Sequence, residues 1–319
     1  MSELRVAVVG CGGMGSIHLD RWAKVSGAVI AAVCDADAGV VTATQRVYGG
    51  EAHTRWDELI GATPLDVVDI CTPPVQHEPV AVRALETGHH VLCEKPLART
   101  PAEARRMVEA ADRAGKLLMT AFCHRFHPPI LFARELIEND DIGRVRMVRN
   151  RFSGVFEGVE NRWFSDPEVA GGGALLDTAI HSVDLFRCLA GEVRSAAGRV
   201  ATFNPALTVE DSAAIVLEAE SGALGVIEAS WSTPHGRNVV EIYGSAGACL
   251  VDYDSNQVQY RSADMSVWET RVIEGPDRFQ REIDSFADAV RGLQPLRVSG
   301  RDGLRANEVV AEVLSSART

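Results

Sequence analysis

Leu4-Arg5-Val6-Ala7-Val8-Val9 runs directly into Gly10-Cys11-Gly12-Gly13-Met14-Gly15, and an amphipathic stretch follows at Ile17 to Val25. An apolar strand, a G-x-G-x-x-G turn and a helix form the dinucleotide-binding pattern. Gly10 permits the tight turn, Gly12 lets backbone approach a pyrophosphate, and Gly15 allows close helix–strand packing. Gly13 doubles the second glycine, and Met14 falls inside the turn. The helix start then offers unpaired N–H groups and a positive dipole end to phosphate. Asp35 stands twenty residues past Gly15, at the end of the second strand-like run. A carboxylate there accepts hydrogen bonds from both ribose hydroxyls and repels a 2′-phosphate. No Arg or Lys occurs in Asp35-Ala36-Asp37, so NAD is favoured over NADP.

The alternation continues outward from that motif. Short runs at Val29 to Val33, Val67 to Cys71, His90 to Cys93 and Leu117 to Phe122 are rich in Val, Ile, Leu and Ala. Amphipathic stretches lie between them at Val40 to Val47, Pro79 to Thr87 and Pro101 to Ala114. Near-continuous apolar strands alternating with helices predict a doubly wound parallel sheet covered on both faces. That α/β domain is expected to span residues 1–122. The pattern then changes. Helical stretches at Pro129 to Glu138 and Gly173 to Leu189 flank a strand at Val145 to Phe156, and closely spaced strands dominate from Ala196 to Ile273. Glu220-Ser221-Gly222, Gly244-Ser245-Ala246-Gly247 and Asp254-Ser255-Asn256 are turns too short for parallel crossovers. Residues 123–319 therefore read as an α+β domain on a large, mostly antiparallel open sheet, closed by helices near Phe279 to Arg291 and Gly303 to Ser315. Helices are expected on one face of that sheet, and the other is a candidate oligomer interface.

Composition narrows the function. The 319 residues are 46% hydrophobic and carry a net charge of −12, which opposes nucleic-acid or anionic-membrane binding. No apolar run approaches the roughly 18 residues that cross a bilayer, and Met1 to Arg5 lead straight into a strand-like run, so a cytoplasmic protein is expected. The seven cysteines are scattered without a CxxC pair, which argues against a disulfide framework or a metal cage.

Two further clusters can carry chemistry. Cys93-Glu94-Lys95-Pro96 follows a strand, and ligands of an open parallel sheet bind beyond the carboxyl ends of its strands. Lys95 would place a cation there. Gly171-Gly172-Gly173 leads into a helical stretch in which Asp177 and His181 share one face, four residues apart. A carboxylate beside an imidazole orients it and sustains its basicity. The glycines would let backbone pass close over a bound molecule. Asp184, three residues past His181, either orients the ring from the other side or is solvated.

Gly10 to Gly15, Asp35, Thr72-Pro73-Pro74-Val75-Gln76-His77, Glu94-Lys95-Pro96 and the Gly171 to His181 stretch together resemble the Gfo/Idh/MocA family. The resemblance implies a dinucleotide-dependent dehydrogenase of sugars, inositols and related polyols, assembled as a homodimer or homotetramer through the second sheet. It implies catalytic positions at Lys95, Asp177 and His181, and a nicotinamide wall at Thr72, Pro73, Glu94 and Lys95, with His77 also toward the cofactor. There are departures: Pro74 replaces the usual Asn after Thr-Pro, Cys123 replaces the Asn of G-F-N-x-R-F, and Ala179 replaces a glycine. None removes a catalytic group.

The expected reaction is hydride transfer between a secondary alcohol and nicotinamide, with His181 as base, Lys95 stabilising negative charge on oxygen, and Asp177 orienting His181 or binding a neighbouring hydroxyl. No metal is required. His77, Arg125, Asn161 and Trp163 flank the shared motifs and are candidate substrate contacts. Arg125 either meets a substrate carboxylate or forms a structural salt bridge; Trp163 either stacks on a sugar face or is mostly buried. Two rival readings are an NAD-recycling glycoside hydrolase and a non-enzymatic nucleotide-sensing regulator, the latter opposed by retention of Lys95 and His181.

Overall fold

A computed structural model describes residues 3–317, in two units. The first holds the chain up to Phe122 together with Phe279–Arg305. Its elements are β1 (Leu4–Val9), α1 (Gly13–Trp22), β2 (Ala28–Cys34), α2 (Ala38–Tyr48), β3 (Glu51–His53), α3 (Trp56–Ala62), β4 (Val67–Ile70), α4 (His77–Glu86), β5 (His90–Glu94), α5 (Pro101–Ala114) and β6 (Leu118–Ala121). The strands form one parallel sheet in the order β3-β2-β1-β4-β5-β6. Val6, Ala7 and Val8 are fully buried in succession, as a strand covered on both faces requires. The order reverses between β1 and β4, and such a switch point opens a crevice at the strands' carboxyl ends. Helix α5 shows how sequence sets an element's limits. Thr100 Oγ1 accepts the Glu103 N–H, Pro101 occupies the first turn, and Gly115 ends the helix at φ +62°.

Two elements here escape sequence reading. β3 is three residues with no β-branched side chain, and α3 is only seven residues long. The larger difference concerns the closing helices, expected wholly in the second domain. Phe279–Arg305, containing most of α9 (Arg278–Val290) and the start of α10 (Gly300–Ala317), belongs to the first unit. Ile283 and Phe286 are fully buried, Arg291 donates to Ser26 O at 2.6 Å, and Leu304 packs against the parallel-sheet core. Gly303 sits where a Cβ would fall 2.2 Å from Thr120 Oγ1. Helical periodicity marks a buried face without telling which sheet buries it.

The second unit comprises Cys123–Arg278 and the chain from Ala306. It contains α6 (Pro128–Glu138), β7 (Val145–Ser153), α7 (Pro167–Ala170), α8 (Ile180–Ala190), β8 (Val193–Ala201), β9 (Ser212–Ala219), β10 (Leu224–Ser230), β11 (Asn238–Gly244), β12 (Ala248–Asp252), β13 (Gln257–Arg261) and β14 (Glu269–Val272). Its eight strands run in the order β14-β13-β12-β11-β7-β10-β9-β8, and only the β7–β10 pairing is parallel. Tight turns join neighbours where Gly222 (φ +83°) and Asn256 (φ +53°) take left-handed backbone. Alternate residues of β9 (Ala213, Ile215, Leu217, Ala219) are buried, so one face carries the core. Edge strand β8 is covered: Glu312 Oε1 and Ser316 Oγ accept its Ala196 and Gly198 N–H groups.

Candidate active site

The glycine turn after β1 is fixed by sterics. Gly10 adopts φ +92°, and a Cβ there would fall 2.6 Å from Cys71 O. A Cβ on Gly15 would fall 1.9 Å from Gly10 O, whereas Gly12 and Gly13 face open space. Backbone is thus tight where α1 meets the sheet and bare where a pyrophosphate would lie. Asp35 Oδ2 accepts the Cys11 N–H at 2.8 Å and Oδ1 accepts the Asp37 N–H at 2.9 Å. Each oxygen keeps a lone pair for a ribose hydroxyl. A cleft of about 430 Å³ opens between Gly10, Asp35, Trp56, Thr72, Pro73 and Gln76. Thr72 Oγ1 is buried there without a protein hydrogen-bond partner among the described residues, a polar atom available to a bound cofactor. These features fit NAD.

Sequence spacing missed the β3–α3 side of this cleft, which supplies Thr54, Arg55 and Trp56. Arg55 is the cation that Asp35-Ala36-Asp37 lacks, yet Asp57 (2.5 Å) and Glu58 (3.0 Å) already hold its guanidinium.

Lys95 follows β5, and the Lys95–Pro96 peptide is cis. Glu94 Oε2 accepts the Lys95 backbone N–H at 3.0 Å. His77, expected toward the cofactor, is instead buried beneath this corner. Its Nδ1 lies 2.9 Å from Pro96 O and its Nε2 2.8 Å from Thr72 O, so it braces the two loops.

In the second unit, Leu175–Ala179 forms a π-helical turn that carries Asp177 into α8. Local widening of this kind often marks functional positions. Ser182, next to His181, donates to Asn150 Oδ1 at 2.5 Å and anchors the helix on β7. The His181 ring stacks on His124, with centroids 4.2 Å apart and planes 16° from parallel. Phe152 meets His124 edge-on at 4.8 Å, and Tyr253 lies 5.3 Å from His124 and stacks at 4.4 Å on His127. Burial pushes the His127 imidazole down to about 4, with Arg278 adding to the effect, so that ring is neutral. Asp177 Oδ2 accepts from Thr178 Oγ1 at 3.3 Å, and Thr178 Oγ1 accepts the Trp231 indole N–H at 2.8 Å. Neither this relay nor the aromatic bed left a spacing signal, because Trp231 and the rings of the bed come from segments far apart in sequence.

The structure bears on three further expectations. Gly173 accommodates protein: a Cβ there would fall 1.8 Å from Glu210 O, and Glu210 Oε1 accepts the Gly173 and Leu175 N–H groups. Asp184 is buried, not solvated, and takes both arms of Arg125 at 2.6 and 2.7 Å, so the salt-bridge reading of Arg125 holds. Trp163 is 36% exposed with Phe164 stacked 3.7 Å from it, so one part of the indole is packed and the rest open to solvent; Asn161 is exposed and donates to Glu160. Cys123 Sγ and ring nitrogens of His124 and His181 fall within 4.8 Å of one another. Nearly parallel imidazoles do not aim their lone pairs at a common ion, so packing explains the group better than tetrahedral coordination.

Residues 4–122 match the family model described as "Oxidoreductase family, NAD-binding Rossmann fold", and residues 130–249 match the "GFO/IDH/MocA C-terminal domain". The chain belongs to the Gfo/Idh/MocA oxidoreductases. Among its relatives, levoglucosan dehydrogenase of Pseudarthrobacter phenanthrenivorans is 30% identical, over 82% of this chain and 77% of that one. D-apiose dehydrogenase of Paraburkholderia graminis is 32% identical, over 80% and 69%. A solved levoglucosan dehydrogenase in complex with NADH superposes with TM-score 0.94 at 25% identity, covering 99% of this chain and 97% of that one. This Gfo/Idh/MocA oxidoreductase thus shares both its domains with dehydrogenases of carbohydrate alcohols. Among the described residues, no helix is long and apolar enough to cross a membrane.

Proposed function

We propose that the protein oxidises a secondary alcohol of a sugar, inositol or related polyol with NAD, or runs the reverse reaction. The observation that carries this reading is a cleft with a bare glycine turn and an Asp35 carboxylate, in a chain that also presents His181 on an aromatic bed beside the Asp177 relay. NAD, when bound, supplies the hydride acceptor.

His181 takes the hydroxyl proton as the C–H bond breaks. Stacking on His124 fixes the plane of its ring, and the anchorage of Ser182 on Asn150 fixes its helix. Lys95 stabilises negative charge on the substrate oxygen. Asp177, restrained through Thr178 and Trp231, orients His181 or accepts an adjacent hydroxyl. Trp163 offers an exposed indole to a sugar face. The cleft favours NAD over NADP because Asp35 faces the ribose position and Arg55 is engaged by two carboxylates.

The test is a screen of NAD reduction at 340 nm across sugars, inositols and sugar acids. Net NADH formation on at least one polyol is expected; release of an aglycone without net NADH would reject the dehydrogenase reading. We further propose assembly of a homodimer or homotetramer through the second sheet. Val216 and Leu224 stand exposed on its uncovered face, and light scattering should give a mass at least twice that of the chain.

A further inference from the structure

Beneath Glu94 and Lys95 lies a buried charged group that the proposed chemistry does not use. His18, on α1, has no exposed surface. Its Nδ1 lies 2.8 Å from Asp69 Oδ2 on β4, and its Nε2 lies 3.1 Å from Glu94 Oε1 at the end of β5, a charge contact rather than an aligned hydrogen bond. Asp69 is fully buried and also accepts the Trp22 indole N–H at 2.7 Å. The second oxygen of Glu94 accepts the Lys95 backbone N–H.

Two buried carboxylates this close to one imidazole require it to be a cation, because an uncompensated buried charge is strongly destabilising. Burial, the largest single influence, pushes the His18 imidazole down, but Asp69 and Cys71 together outweigh it and hold His18 well above the ordinary histidine range. Burial likewise pushes Glu94 up, and His18 together with the Lys95 charge and backbone N–H overcomes it, keeping the carboxyl below its usual range. A histidine that merely filled space would be neutral and would carry one N–H.

We propose that His18 is the positioning residue for the Glu94-Lys95 corner: lodged between Asp69 and Glu94, its imidazolium fixes the carboxylate that fixes the backbone bearing Lys95. The inference rests on the role of Lys95 proposed above. The titratable groups facing the cluster are Asp69 and Cys71 from the end of β4, Cys93, Glu94 and Lys95 from β5 and its end, and His77 from α4.

His18→Gln removes the charge and keeps a hydrogen-bonding side chain. Turnover should fall about 10- to 100-fold, the scale of a reacting group displaced by an ångström or less. NAD⁺ affinity, read by fluorescence titration, should stay near that of the unmodified protein. Without its cation Glu94 titrates higher, so the acid limb that the His181 base already gives the unmodified protein should lie at higher pH in the variant, with turnover regained as pH rises further. In a Lys95→Ala background, His18→Gln should cost no further turnover. If His18→Gln fails to fold, Glu94→Gln lowers the buried charge instead of stranding it; it should show the same loss, which again vanishes in the Lys95→Ala background. A variant that melts earlier but keeps its turnover and pH profile overturns the proposal and makes His18 a structural charge only. Full turnover by Lys95→Ala alone would overturn the function reading first and this inference with it, whereas a dead Lys95→Ala beside an active His18→Gln defeats this inference alone.

Discussion

The nucleotide cleft and the His181 bed are built by opposite means. The cleft is made largely of backbone: a glycine turn, a bare loop and one carboxylate held by two backbone N–H groups. The bed is made of side chains, with His124, Phe152, His181 and Tyr253 arriving from four separate segments. Backbone sites demand particular residues at adjacent positions and so leave a local pattern. Side-chain sites demand only that remote residues meet.

The comparison predicts effects of different kinds. His181→Ala should lower turnover about 10²- to 10⁴-fold, the range of general acid–base help, with NAD⁺ binding preserved. Steady-state rates and NADH fluorescence separate the two, and retained turnover at saturating substrate would remove His181 from the chemistry. Arg125→Met should destabilise the second unit by up to about 3 to 5 kcal/mol, because the deeply buried Asp184 loses its two-armed partner and keeps the more distant Arg187 at 3.8 Å. Denaturant melts check this, and stability should return in Arg125→Met/Asp184→Leu; an unchanged midpoint in the single variant would show that the pair is solvated.

Legibility follows the same division. Gly10, Gly15 and Asp35 were readable because sterics and ribose chemistry allow little else at those positions. Lys95, Asp177 and His181 were marked by short motifs, although nothing local showed that Trp231 restrains Asp177 through Thr178. His77 looked like a cofactor contact because it stands in the same motif as Thr72; only packing shows its ring turned inward to Pro96 and Thr72. Gly173 shows a related limit: a glycine reports that something lies close, and at this position the neighbour is Glu210. The return of Phe279–Arg305 to the first unit was hidden because amphipathic helices carry no address.

Smaller effects sharpen the contrast. Asp35→Ala should weaken NAD⁺ about 10- to 100-fold, the loss expected of hydrogen bonds to a charged group, with turnover at saturating NAD⁺ little altered. Isothermal titration would expose the opposite case, in which affinity holds and Asp35 serves only the turn. Trp163→Ala should raise the substrate KM by a factor of about 2 to 10, as loss of one aromatic contact allows, and leave kcat alone. An unaltered KM across the responsive polyols would free Trp163 from any part in binding.

The most direct measurement is a crystal structure of the protein with NAD⁺ and a polyol that it oxidises. We expect the reacting hydroxyl within hydrogen-bonding distance of both a His181 ring nitrogen and Lys95 Nζ, with the ribose on Asp35. A substrate bound out of reach of either group, with turnover retained, would contradict the proposed chemistry.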